Sequence, residues 1–222
     1  MTISNDSRAR VKKVFEPIAL AMGRAGLTPD GLTLIGFAIT IVGAILVGME
    51  QWLIGGIVVF IGGAFDMFDG TLARATGQAS PLGGFMDSVF DRAGEVVVYV
   101  GIVAGLQAAG IGDGPLLAAA TMGAAVMVSY ARAKSDAHGF TAGMGLAAVG
   151  VMPREIRLVI LSIGLIGAGI LGTTMTGGAM PPGFALLFLA LGIILIGSII
   201  TVIQRIVFVR REAKSTPTNT PS

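Results

Sequence analysis

Two short acidic pairs carry the densest chemistry in this sequence. Asp66 and Asp69 stand at i, i+3 within Phe65-Asp66-Met67-Phe68-Asp69-Gly70-Thr71-Leu72-Ala73-Arg74. Asp87 and Asp91 stand at i, i+4 within Gly83-Gly84-Phe85-Met86-Asp87-Ser88-Val89-Phe90-Asp91. On helices, each spacing puts both carboxylates on one face. Between the pairs, Gly77, Pro81, Gly83 and Gly84 can reverse the chain, so that the four acids converge. Four like charges beside apolar segments are costly without a counter-charge. Two divalent cations would balance them, and such a paired site can bridge the oxygens of a phosphoryl transfer. The structural alternative has each Asp capping a helix or pairing with Arg74 or Arg92. Four acids at these spacings, each beside an apolar run, speak against it.

The rest of the composition narrows the metal. There is no cysteine and a single histidine, His138, so thiolate and histidine-cluster sites are excluded. Oxygen ligands favour a hard ion, magnesium first and manganese second. Gly70 and Ala73 share the face of Asp66 and Asp69 and leave room for a flat or bulky ligand.

The elements that position these acids read as membrane helices. The chain is 54% hydrophobic and 13% charged, against about 25% charged in a soluble domain, and its mean hydropathy is +0.85. Six spans are expected, at about Leu32–Met49, Leu53–Phe65, Val89–Ala109, Leu116–Tyr130, Ile156–Thr173 and Phe184–Val209. The second and fourth are short unless they continue into polar, functional extensions. The fold class is therefore an all-α polytopic membrane protein. Its expected parts are a cytoplasmic arm over 1–31, a six-helix domain over 32–211 and a disordered tail over 212–222. Within the arm, Ser7–Arg24 interleaves basic residues with Val11, Val14, Phe15, Ile18 and Leu20, a pattern that suits a helix lying on the membrane surface. No cleavable signal segment is expected.

With both termini cytoplasmic, the external loops fall near Glu50–Trp52, Gly110–Pro115 and Thr174–Gly183. None contains Lys or Arg, so all 15 basic residues lie at or near one face. Trp52 is expected to anchor at the outer interface. Gly164, Gly167, Gly169 and Gly172 are read as a helix-packing face. Arg210, Arg211 and Lys214 are read as snorkelling anchors.

The pattern D-x2-D-G-x2-A-R-x8-G-x3-D-x3-D is filled by Asp66, Asp69, Gly70, Ala73, Arg74, Gly83, Asp87 and Asp91. It resembles the signature of the CDP-alcohol phosphotransferase family, whose six-helix layout and surface helix also match. The resemblance implies that Asp66, Asp69, Asp87 and Asp91 bind two metals and that Asp91 takes the proton of the acceptor hydroxyl. It implies that Gly70 and Ala73 admit cytidine and that Arg74 contacts the nucleotide. Asp30, Thr33 and Ser80 resemble further contacts to the CDP-lipid, although a Pro-Asp pair before a helix is also an ordinary N-terminal cap. In the implied reaction an alcohol attacks the lipid-side phosphate of a CDP-lipid and CMP leaves.

The acceptor is read from cationic residues at the same face. Ser129, Arg132 and Lys134 end the fourth span, Arg154 and Arg157 begin the fifth, and Arg205 lies near the end of the sixth. Arginine suits phosphate geometry. The arrangement resembles the inositol-phosphate branch of the family, where such segments surround the acceptor's phosphate. The implied activity is transfer of the phosphatidyl group of CDP-diacylglycerol to inositol phosphate, forming phosphatidylinositol phosphate, by an enzyme of the plasma membrane. Glycerol 3-phosphate is the alternative acceptor. A divalent-cation transporter is the alternative of another class, disfavoured because no acidic path continues to the other face. The resemblance implies a homodimer, and no nucleic-acid partner is expected. Glu95, at i, i+3 from Arg92, is read as that residue's structural partner.

Overall fold

The computed structural model describes residues 16–140, 149–174 and 179–215, with Asp66, Met67 and Ser215 described by backbone alone. The described residues are mainly helical. Residues 16–24 form α1. It is followed by α2 (Pro29–Gly48), α3 (Trp52–Thr76), α4 (Pro81–Ala108), α5 (Gly114–Ala137), α6 (Arg154–Leu171) and α7 (Pro182–Ser215). Each expected apolar run is found as a helix, and the second and fourth do continue into polar extensions, to Thr76 and Ala137. Among the described residues, four helices are long and apolar enough to cross a membrane: α2, α3, α5 and α7. Of the remaining three, α1 is short, and α4 and α6 carry charge within their length: Asp87, Asp91, Arg92 and Glu95 in α4, and Arg154, Glu155 and Arg157 in the first turn of α6.

Local chemistry sets the helix ends that matter here. Thr28 caps α2 by accepting from Gly31 N at 3.1 Å, with Pro29 in the first turn. Ser80 does the same for α4, accepting from Gly83 N at 3.0 Å ahead of Pro81. Gly77, at a φ of 70°, closes α3 in the left-handed conformation that glycine adopts without strain. Together these residues turn the chain between α3 and α4.

α2 is the central post, packed against both α3 and α4. Its close approaches run through glycine: a Cβ on Gly36 would meet Phe65 Cβ at 2.9 Å, and one on Gly101 of α4 would press on the Ala44 backbone. α6 and α7 pack on each other, α6 also on α3 and α7 on α5. The main core joins Val47, Tyr99, Ile102, Leu106, Leu165 and Leu191. Large apolar side chains such as Ile54, Ile57 and Ile61 on α3, and Ile196, Ile203 and Ile206 on α7, are exposed on outward faces.

Several expectations change. Trp52 is buried rather than interfacial: its ring packs edge-on to Phe184 with centroids 5.5 Å apart and lies against Gly105, whose missing side chain makes the slot. Of the expected glycine face, Gly164 and Gly167 do meet α7, but Gly169 meets Leu53 of α3 and Gly172 ends α6 at a φ of 83°. α7 continues past residue 211 to Ser215. α1 docks on the body through Ala19, which is buried with Leu32 and Leu72. The earlier part of the expected surface helix, and residues 216–222, lie outside the described residues.

Candidate active site

The end of α3 and the start of α4 bring most of the expected donor-side residues to one open cleft. Asp30 and Thr33 of α2, Asp69, Gly70, Ala73 and Arg74 of α3, and Ser80 and Asp87 at the start of α4 all line it. Gln78 and Gly84 line it too, although neither stands out by residue type or spacing. One wall is flat because it is glycine: a Cβ on Gly83 would come within 3.3 Å of Asp30 Oδ1.

Asp69 is held from two sides. Thr33 donates its hydroxyl to Asp69 Oδ2 at 2.5 Å, and Gly70 N donates to Oδ1. The residue is 4% exposed. Two donors fix the orientation of this buried carboxylate. Thr33 therefore acts here as a support of the acid, beside its expected contact to the CDP-lipid.

One turn further along α4, Asp91 meets two guanidinium groups. Arg154 of α6 lies 2.9 Å from Oδ1 and Arg92 lies 3.2 Å from Oδ2. The counter-charge that the acids require is supplied at Asp91 by these cations. Asp66 lies on α3 one turn before Asp69, and its side chain is outside the described residues. Among the described residues no three of His, Asp and Glu form a metal-binding group by themselves. The donor set around the cleft is made of carboxylate oxygens, which fits a hard divalent ion and no softer metal.

The cationic residues divide. Arg154 is part-exposed beside Asp91. Arg132 and Lys134 are exposed near the end of α5, with Arg132 3.9 Å from Asp136, and Ser129 is half-buried on the same helix. Arg205 is buried, donating from Nε to the Val149 carbonyl at 3.1 Å and from Nη1 to that of Val128. Arg157 is buried and turned inward. Its Nε and Nη2 donate to Glu95 at 2.7 and 2.8 Å, and its Nη1 donates to the Met152 carbonyl at 2.9 Å. Glu95 is thus the partner of Arg157, not of Arg92 as its i, i+3 spacing suggests. Arg92 reaches its other neighbour, Asp91, while a bidentate fork is the stronger claim on a buried carboxylate.

Comparison with known proteins identifies the family. The family model for CDP-alcohol phosphatidyltransferases matches residues 26–211. A phosphatidylinositol phosphate synthase of Streptomyces avermitilis is 36% identical over 213 residues, covering 93% of this chain and 82% of that one. An archaetidylinositol phosphate synthase of Pyrococcus horikoshii is 35% identical over 156 residues, 70% of this chain and 78% of its own. The crystal structure of Mycobacterium tuberculosis phosphatidylinositol phosphate synthase with CDP-DAG bound superposes with a TM-score of 0.74 at 26% identity, covering 95% of this chain and 98% of that one. With the family model matching most of the chain and relatives about a third identical over most of its length, this chain belongs to the CDP-alcohol phosphatidyltransferase family.

Proposed function

We propose that this protein transfers the phosphatidyl group of CDP-diacylglycerol to inositol phosphate, releasing CMP and forming phosphatidylinositol phosphate. The observation that carries the reading is the adjacency of two sites: a glycine-walled cleft lined by Asp69 and Asp87, and, one helical turn on, Asp91 beside an arginine from another helix. The relatives named above support the choice of acceptor.

In this reading Asp66, Asp69, Asp87 and Asp91 hold two divalent cations, magnesium first and manganese second. When bound, these would neutralise the pyrophosphate and stabilise the departing CMP. Gly70 and Ala73 admit the cytidine, and Arg74, Asp30, Thr33 and Ser80 contact the donor. Asp91 accepts the proton as the acceptor oxygen bonds to the lipid-side phosphorus and the bond to CMP breaks. Arg154 holds the acceptor's phosphate, with Ser129, Arg132, Lys134 and Arg205 around it. Displacing Arg154 from Asp91 frees both groups for these roles.

All six long helices cross the bilayer in this reading, because the charges of α4 and α6 are confined to their site end. That end and both chain termini face the cytoplasm of a plasma-membrane enzyme, and two copies associate as a homodimer. The test is CMP release by purified protein with CDP-diacylglycerol and magnesium, compared across inositol phosphate, glycerol 3-phosphate, serine and free inositol. Release is expected with inositol phosphate and is expected to vanish with a chelator. Faster release with glycerol 3-phosphate would overturn the assignment.

A further inference from the structure

α4 and α6 face one another without packing side to side. α6 lies on α3 and α7, whereas α4 lies chiefly on α2 and α5. A small pocket lies between them, walled by Phe90, Gly94 and Val98 of α4 and Leu158 and Leu161 of α6, with α2 and α3 closing its other sides through Phe37 and Val59. Two charged rungs cross the gap. Asp91 meets Arg154 at 2.9 Å. One turn along, Glu95 accepts from Arg157 Nε at 2.7 Å and from Nη2 at 2.8 Å. Asp91 and Glu95 are i, i+4 and Arg154 and Arg157 are i, i+3, so the rungs are successive steps on facing surfaces.

The rungs differ in burial. The Arg154 side chain is 24% exposed, whereas those of Arg157 and Glu95 are 2% and 10% exposed. A two-bond fork fixes separation and angle together. The third bond, from Arg157 Nη1 to the Met152 carbonyl, ties in the chain just before α6. A buried ion pair adds little stability over apolar residues of similar size. What this one supplies is geometry.

We propose that the Glu95–Arg157 ion pair is a positioning strut: it holds the first turn of α6 at the distance from α4 at which Arg154 reaches the acceptor's phosphate beside Asp91. The inference rests on the function proposed above, in which Arg154 takes that phosphate. Glu95 and Arg157 touch no substrate in it. They act through Arg154, and Arg157 leaves the set of direct phosphate ligands.

The test removes both charges together, Glu95→Leu with Arg157→Met, so that neither is left buried alone. Kinetics use the acceptor that the wild-type protein prefers in the panel above. The acceptor KM is expected to rise about tenfold or more, the scale of one lost charge-assisted contact, with the CDP-lipid KM at its wild-type value. Because the chain has no cysteine, Leu82→Cys and Glu155→Cys can carry spin labels on α4 and α6. Their distance distribution is expected to shift or broaden in the double variant, with no substrate or metal added. An unchanged acceptor KM with an unchanged distance overturns the strut. So does an equal rise in both KM values, which marks a general structural role. If the double variant yields no folded protein, Glu95→Asp shortens the rung by one methylene and is expected to raise the acceptor KM selectively; failure of both variants to fold also overturns it. A wild-type protein inactive with every acceptor defeats the proposed function instead, and the label distance still decides the strut.

Discussion

The shortest path from sequence to chemistry in this molecule runs through Asp69. Its carboxylate receives the Thr33 hydroxyl at 2.5 Å and the Gly70 amide, so its orientation is set by neighbours and not by solvent. If Asp69 holds a metal, Thr33 is the group that orients the ligand, and loss of such outer partners typically costs about 10–100-fold in metal affinity or activity. Thr33→Val is therefore expected to raise the magnesium concentration for half-maximal CMP release by about that factor. Thr33→Ser, which keeps the hydroxyl, should stay near wild type. Asp69→Asn and Asp87→Asn should abolish turnover while leaving a folded membrane protein. Near-normal turnover of either at saturating magnesium would sink the two-metal reading. The acid spacings were legible in the sequence because i, i+3 and i, i+4 are local. The bond from Thr33 to Asp69 was not, because it joins α2 to α3 and no local period records it.

At the scale of elements, helix ends and apolar runs were legible, since capping and hydropathy are properties of short windows. Thr28-Pro29 and Ser80-Pro81 mark starts that the structure realises through side-chain caps. Partners between distant helices were not legible. Glu95 has Arg92 three residues away, yet it binds Arg157, which only tertiary packing brings near. Trp52 has the composition of an interfacial anchor, and it is buried because Gly105 and Phe184, far along the chain, make a slot for it. The cationic ends of α6 and α7 give a test at this scale. Arg154→Ala should remove a charge-assisted bond of about 1.5–3 kcal/mol from the acceptor's phosphate. That is roughly tenfold or more in acceptor KM, with the CDP-lipid KM little changed. Arg210→Ala, at the exposed end of α7, is the control and should alter neither constant. An Arg154→Ala profile matching that control would remove Arg154 from the acceptor pocket.

At the scale of the whole molecule, the helices alternate in direction and sort their charges. The described basic residues stand at or near the end that carries the cleft: Arg74 closes α3, Arg92 follows Asp91, Arg154 and Arg157 open α6, and Arg205 to Lys214 end α7. The opposite end is tied together by Trp52 against Phe184 and Gly105, and its turns hold Glu50 and Asp113, both exposed, with no Lys or Arg. Cationic loops are retained on the cytoplasmic side during insertion, and this charge pattern is the ground for proposing that the cleft faces the cytoplasm. That inference is testable without removing any native thiol, because the chain contains no cysteine. Single replacements Glu50→Cys and Asp113→Cys should react with an impermeant maleimide applied to intact cells. Gln78→Cys, at the cleft, and His138→Cys, beyond α5, are as exposed on the protein surface but should react only after the membrane is opened. The comparison separates topology from accessibility, since all four positions are solvent-facing on the isolated protein. Reaction of Gln78→Cys in intact cells would place the cleft outside and reverse the orientation of every helix. Reaction of Glu50→Cys but not Asp113→Cys would instead break the alternation at α4, and with it the reading that this charge-bearing helix crosses the bilayer.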